Sequence, residues 1–144
     1  RRLEQIAGVV VAAPGADVRP FLHRAAIAVA PLPSARGLQA GVLEAMASGV
    51  PVVTTSHGVE GIVATRERHF HLEDSTPSFA QRVIQLLEEP ALRADMSVHA
   101  RAFVATHYSW DAATQRLADA LATLAPLSTP AAAMSRRPAA AALR

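Results

Sequence analysis

A glycine-containing turn and a carboxylate stand at a spacing that suits a nucleotide. The turn contains Arg36 and Gly37, and Glu44 follows within the apolar-periodic run that the turn opens. Such a turn before a helix presents free backbone N–H groups and the positive end of the helix dipole, which favour a diphosphate. Glu44 would lie about 9 Å further along the axis, at ~1.5 Å rise per residue, where it could accept hydrogen bonds from two ribose hydroxyls. A surface glutamate on an ordinary amphipathic helix explains the same spacing.

The residues around Glu44 predict a loop, a helix, a tight turn and a strand, in that order. The helical run begins near Leu38 and stops at Gly49, since glycine takes the left-handed conformation of a helix C-terminus without steric penalty. Pro51 then precedes a β-branched stretch at 52–55, which is typical of a buried parallel strand.

Three other stretches predict strands, at residues 8–12, 27–30 and 69–72. Segments with helical periodicity lie between these strands and after the last of them, and Ser109 is expected to cap the last helix. Four strands alternating with helices predict an α/β fold, a Rossmann-like parallel sheet with helices on both faces. A ligand would bind outside the carboxyl ends of the strands, where the Arg36 loop falls.

Composition excludes several classes of function. A chain of 144 residues is one domain at most, and 51% hydrophobic residues suffice for its core. The net charge of +2, on scattered arginines, does not favour a nucleic-acid partner. Without cysteine there is no disulfide or cysteine-ligated zinc. His69 and His71 share a strand face, but no third ligand accompanies them, so no metal site is predicted.

Location and domain limits follow from the same composition. No apolar run approaches 18 residues and no signal-peptide pattern is present, which predicts a cytoplasmic protein. The first residue is not methionine, which suggests a fragment of a longer protein. Residues 1–124 are expected to form one partial domain. Residues 125–144 are rich in alanine and proline without periodicity and are expected to be a disordered tail.

Four strings of residues resemble the family 4 glycosyltransferases. Residues 43–53 (LEAMASGVPVV) and 58–61 (GVEG) are similar to that family's signature. Residues 36–39 (RGLQ) and 108–111 (YSWD) resemble a narrower branch, the sugar transferases associated with exosortase (PEP-CTERM) and exopolysaccharide loci. The resemblance runs from about residue 8 to residue 124.

The resemblance implies a retaining, nucleotide-sugar-dependent enzyme of the two-domain GT-B fold. The chain would be part of its C-terminal, donor-binding domain, inactive alone, with a glycan or lipid-linked acceptor held by the other domain. The donor would be a nucleotide-diphosphate sugar, and neither a further cofactor nor a metal is expected. The full enzyme could associate peripherally with the inner face of the membrane. Two alternatives stay open: a non-catalytic module that binds a nucleotide or a partner protein, and a fragment of a non-hydrolysing nucleotide-sugar epimerase.

The resemblance also assigns the donor contacts. They fall on a turn, a loop and one helix residue: Gly15, Arg36, Gly37, Leu38, Gln39 and Glu44. The backbone of 37–39 would hold the diphosphate, Glu44 the ribose, and the Gly15 turn would lie against the base. Arg36 occupies the position where many members carry a glutamate that contacts the donor sugar, so Arg36 is expected to pair with the diphosphate instead. Arg36 and Glu44 are the candidate catalytic residues.

The resemblance implies that the sheet lacks two of the family's strands. In the strand order 3-2-1-4-5-6, two strands absent from this sequence would separate residues 8–12 from residues 27–30. Those two stretches must then pair directly or leave an edge open, and an open edge favours aggregation.

Overall fold

The computed structural model describes residues 3–124 and shows the predicted α/β fold. A parallel sheet in the order β1-β2-β3 is formed by Ala28–Ala30, Val52–Thr54 and His71–Leu72. The helices are α1 (Arg19–Leu22), α2 (Ala40–Ala47), α3 (Thr76–Glu88), α4 (Pro90–His107) and α5 (Trp110–Leu124), with 3₁₀ turns at Leu3–Gln5 and Ser56–Val59. The tail at 125–144, predicted to be disordered, lies outside the described residues.

The sheet is built around β2. All three residues of β2 are buried, because parallel strands pair with both of its edges. Residues 28–30 pair with 52–54 in register, and residues 53–54 pair with 71–72. Helices α2 and α3 both contact β2, and α4 packs against both helices. The sheet and α1–α4 belong to one compact unit that ends at Tyr108, whereas α5 belongs to a second unit.

Helix α2 ends as the sequence predicts. Gly49 has a left-handed φ of 73°. Its N–H donates to the Met46 carbonyl, and the Val50 N–H donates to the Ala45 carbonyl. These two bonds form a Schellman motif, which satisfies the last free carbonyls of a helix. The Ser97 hydroxyl of α4 donates to the Gly49 carbonyl at 2.6 Å, so the turn between α2 and β2 is fixed to α4.

The main hydrophobic core lies between α2, α4 and the sheet. Met46, Ala45 and Val42 of α2 point into it, as do Ala100 and Val104 of α4. Met46 and Ala100 are fully buried. The apolar spacing within 42–46 therefore marks the face of α2 that packs inward, and the opposite face, which carries Glu44, is exposed.

Serine side chains cap two of the helices. Ser75 caps α3, since its hydroxyl accepts a hydrogen bond from the Ser78 N–H at 3.2 Å. Ser109 caps α5 as predicted, since its hydroxyl accepts from the Ala112 N–H. Within residues 3–124, no helix combines the length and hydrophobicity needed to cross a bilayer.

The prediction of a strand at residues 8–12 is wrong. Every described residue from 3 to 21 is exposed, and Val10 is 85% exposed. A strand of five residues needs a neighbour that satisfies its backbone groups, and among the described residues no strand lies beside this segment. The β-branched composition that predicted a strand cannot supply that neighbour.

Among residues 3–124, no strand pairs with the edge of β1 opposite β2, so the described sheet is open on that side. Ala28 and Ala30 direct their backbone groups towards β2, where the Ala28 N–H donates to Pro51 and the Ala30 carbonyl accepts from Thr55. In a parallel ladder the intervening residue, Val29, points its N–H and carbonyl the other way. Its side chain is 54% exposed. Of the two outcomes expected for the sheet, the structure shows the open edge.

We predict that this edge causes self-association, and that Val29→Lys reduces it. A lysine on an edge strand opposes pairing with another chain because its charge would have to be desolvated. Sedimentation velocity over a range of protein concentrations measures the effect. The matched control is Val63→Lys, at a position that is 81% exposed and outside the sheet. Equal self-association of the two variants and the parent would contradict the prediction.

Candidate functional site

The loop that leads into α2 has the geometry expected of an anion-binding turn. Arg36, Gly37 and Leu38 are exposed, and Gly37 takes a left-handed φ of 69°. The Gln39 side-chain amide donates to the Gly37 carbonyl at 3.0 Å and closes the turn. Gln39 itself is extended and its carbonyl accepts the first helical hydrogen bonds. The loop therefore leads into the start of α2, and the loop residues 36–38 are exposed to solvent.

Helix α2 begins at Ala40, two residues later than the apolar spacing suggested. Leu38 is thus a loop residue and is 49% exposed, not part of the buried helical face. The first N–H groups of a helix have no acceptor within it, and here they belong to Ala40 and Gly41. Nothing lies within 4 Å of the position that a Cβ on Gly41 would take, so the first turn is open to an approaching ligand.

Glu44 lies closer to this helix start than predicted. It follows Ala40 by four residues, which is about 6 Å along the axis at ~1.5 Å per residue, instead of the 9 Å expected. Its side chain is exposed and lines a shallow cleft of about 310 Å³. The cleft is bounded by α2 on one side and by residues 17–19 on the other.

The Gly15 turn precedes, in the chain, the residues that form one side of this cleft. Gly15 is exposed with a left-handed φ of 79°, two residues before Asp17. Asp17 accepts hydrogen bonds from both the backbone and the guanidinium of Arg19, and these bonds hold the pKa of Asp17 below its usual value. Residues 17–19 share the cleft with Glu44, Ala47 and Ser48, at the second half of α2, and neither Gly15 nor residues 36–39 line it.

Arg19 is a candidate site residue that the sequence reasoning missed. It lines the same cleft as Glu44 although the two are 25 positions apart in the chain. Its side chain is 77% exposed, and its guanidinium is already paired with Asp17 at 2.8 Å. No local pattern in the sequence indicates that residues 17–19 lie beside Glu44.

A second, larger cleft lies at the carboxyl ends of the strands. Its volume is about 500 Å³, and the residues that follow β1, β2 and β3 all line it, together with Phe79 and Ala80 of α3. This is the edge of the sheet at which the topology predicts a ligand. The Arg36 loop does not line this cleft; the residues before it, at 31–33, do.

One family model matches residues 1–89 of the chain, that of the glycosyl transferases group 1. The chain belongs to this family. The match covers the sheet, the Arg36 loop and α2, so the candidate site lies within the matched residues.

The fold of the domain agrees with a solved relative. A crystal structure of the C-terminal domain of LpcC, a glycosyl transferase group 1 family protein from Francisella tularensis, superposes with a TM-score of 0.62 at 20% identity. The alignment covers 71% of this chain and 53% of that one, so the chain spans about half the length of the solved domain. Comparison with curated proteins gave no match. At this identity the likeness establishes the fold alone.

The two histidines considered as metal ligands have separate partners. His69 Nδ1 accepts from the Thr65 N–H at 2.8 Å, whereas His71 Nδ1 lies 2.6 Å from the Glu67 carboxylate. Within residues 3–124, no three histidine, cysteine, aspartate or glutamate side chains are arranged to hold a metal ion. His71 is 2% exposed, and its Nε2 has no hydrogen-bond partner in the described part of the chain. A neutral ring that donates from Nδ1 to Glu67 fits this environment, because a charged ring would bury an unpaired N–H.

We therefore predict that the free energy of unfolding falls as the pH drops from 7 to 5. Burial lowers the pKa of His71 and outweighs the negative charge of Glu67, which acts to raise it. Burial also lowers the pKa of His69. In the unfolded chain these histidines are protonated as the pH falls through about 6.5. In the folded protein their lowered pKa keeps them neutral to lower pH. The unfolded state therefore binds more protons, and the free energy of unfolding decreases below that pH. Urea unfolding at pH 7, 6 and 5 measures the loss.

His71→Gln should flatten this pH dependence, whatever it does to stability at pH 7. The exposed His23→Gln is the matched control and should leave the dependence in place. A free energy of unfolding that is constant from pH 7 to 5 in the parent protein would refute the assignment of a neutral His71.

Proposed function

We propose that this chain is the donor-nucleotide-binding part of a retaining family 4 glycosyltransferase of the exosortase- and exopolysaccharide-associated branch. The enzyme would transfer a sugar from a nucleotide-sugar to a glycan or lipid-linked acceptor, in the cytoplasm or at the inner face of the membrane. No metal or further cofactor enters the proposal. Its strongest support is the arrangement at the start of α2, where open N–H groups and an exposed carboxylate lie about 6 Å apart along one helix, at ~1.5 Å per residue.

The diphosphate would bind at the open end of α2. The N–H groups of Ala40 and Gly41 and the positive end of the helix dipole favour the charge that develops on the departing nucleotide. Gly37 suits this role because its left-handed backbone carries no side chain between the loop and the ligand. The exposed Arg36 guanidinium, one residue earlier, can pair with phosphate oxygens.

The ribose would bind beside Glu44. An ionised carboxylate accepts hydrogen bonds through both oxygens, which matches two neighbouring hydroxyls. Among the described residues no hydrogen bond or ion pair engages the Glu44 side chain, so its capacity is available to a ligand. The nearby turn at Gly15 would then border the base.

A calorimetric titration with UDP and GDP, each compared with its monophosphate, tests this proposal. If α2 binds the diphosphate, one diphosphate should bind saturably and the matching monophosphate at least several-fold more weakly. Arg36→Ala should narrow that difference, and Arg24→Ala, an exposed arginine outside the site, should not. A folded protein that binds no nucleoside diphosphate at millimolar concentration would refute the proposal.

A further inference from the structure

Two segments of the described chain lack the backbone partners that a strand needs. At the edge of β1 opposite β2, the N–H and carbonyl of Val29 face no described strand. Residues 8–12 contain three consecutive valines, and among the described residues no backbone group forms a hydrogen bond with Val10 or Val11. Each segment therefore offers the hydrogen bonds that the other lacks.

A largely apolar cleft adjoins the open edge of β1. Its volume is about 370 Å³, and it is lined by all three residues of β1, by Leu22 of α1 and by Val42 and Ala45 of α2. Successive side chains of a strand point to opposite sides, so a strand added at this edge would direct every second side chain towards the cleft. Strand addition takes its affinity from main-chain hydrogen bonds and its specificity from such pockets.

Residues 8–12 have the composition that this edge and cleft require. Val9, Val10 and Val11 are 40%, 85% and 54% exposed, and valine is favoured in strands. No charged residue occurs at positions 5–16 or 25–35, so pairing of the two segments removes no charge from water. Natural sheets oppose pairing between chains with charged residues on their edges, and neither segment has this protection.

We infer that residues 8–12 of a second copy of this chain pair with the open edge of β1, with Val9 and Val11 in the cleft and Val10 beside Val29. The chain's own segment is unpaired while Leu22 packs into the core, so a second copy supplies the strand without disturbing that packing. Because each copy carries both segments, the exchange is reciprocal and closes at a dimer. This pairing does not depend on nucleotide binding.

Sedimentation velocity of the whole chain and of two variants, Val11→Lys and Val29→Lys, tests the exchange. Each substitution places a charge in one of the two segments, and neither residue belongs to the core, so the fold should be kept. Each variant alone should lose at least tenfold in dimer affinity. Val63→Lys, at a position that is 81% exposed and outside the sheet, should associate like the parent.

A mixture of the two variants distinguishes strand exchange from other contacts between copies. The intact segment of the Val29→Lys chain can pair with the intact edge of the Val11→Lys chain. The mixture should therefore contain a heterodimer, at a total concentration where each variant alone is monomeric. Pairing of one β1 edge with another predicts the opposite, namely that Val11→Lys associates like the parent and that mixing adds nothing.

Amide hydrogen exchange separates pairing with a second copy from pairing within one chain. Raising the concentration of the parent protein through its dimerisation range should slow exchange at residues 9–11 and at Val29 together, by at least tenfold. Protection of these amides that is the same at all concentrations would place the strand within one chain and overturn the inference. A parent protein that stays monomeric at millimolar concentration, or a mixture without a heterodimer, would overturn it as well.

Discussion

Glu44→Ala should weaken the binding of UDP or GDP by tenfold or more. A hydrogen bond to a charged group contributes ~1.5–3 kcal/mol, and ~1.4 kcal/mol corresponds to a factor of ten in affinity. Glu44 is exposed, so the hydrogen bonds proposed between its carboxylate and the ribose are placed at the low end of that range. Titration calorimetry on parent and variant measures the change.

The 2′-deoxynucleotide provides the sharper control for the same prediction. Loss of the ribose 2′-hydroxyl should reduce the affinity of the parent protein. It should reduce the affinity of Glu44→Ala much less, because that variant already lacks the carboxylate that would accept from the hydroxyl. Glu60→Ala removes an exposed carboxylate outside the site and should bind UDP and GDP like the parent. Equal affinity of Glu44→Ala and Glu60→Ala would contradict the assignment of Glu44 to the ribose.

Gly58→Ala should lower the free energy of unfolding by about 1–3 kcal/mol, the usual cost of overpacking a core. A Cβ on Gly58 would collide with the hydroxyl oxygen of Thr54. Thr54 is fully buried at the end of β2 and donates to the Ala30 carbonyl, so it has no free space to enter. The substitution would therefore displace the strand end on which the site depends.

Gly41→Ala is the matched control for Gly58→Ala. The same added methyl group meets nothing within 4 Å at this position, and φ is not in the left-handed region. In a helix, alanine is favoured over glycine by ~1 kcal/mol, so Gly41→Ala should stabilise the protein slightly. Urea unfolding of both variants measures the pair. If Gly58→Ala unfolds at the same urea concentration as the parent, the close packing of Gly58 on Thr54 is wrong.

The segment from the Arg36 loop to β2 could be predicted from sequence because its signals are local. Gly49 marks the end of α2 through its own conformational freedom, and residues 52–54 mark a strand through their β-branched side chains. The prediction at residues 8–12 failed for the opposite reason. A strand forms only where another strand pairs with it. The five residues at 8–12 contain no information on whether such a partner is present.

The candidate sites show the same division. Arg36, Gly37 and Glu44 lie within nine residues of one another, so their arrangement follows from one loop and one helix. Arg19 and Glu44 line one cleft only because the fold brings two distant parts of the chain together. The cleft at the strand ends joins three loops that the sheet brings together, and its histidine and aspartate, His57 and Asp74, carry no spacing that would reveal them.

Backbone amide shifts of the ¹⁵N-labelled protein, recorded during titration with UDP and GDP, test the donor site most directly. A donor site at the start of α2 predicts saturable changes that are largest at residues 37–41, with smaller changes at residues 15–19, of which 17–19 line the cleft with Glu44. Those residues report the diphosphate and the base side of the ligand in one experiment. Changes that centre on another part of the protein, or no changes at millimolar nucleotide in a folded sample, would contradict a donor site at the start of α2.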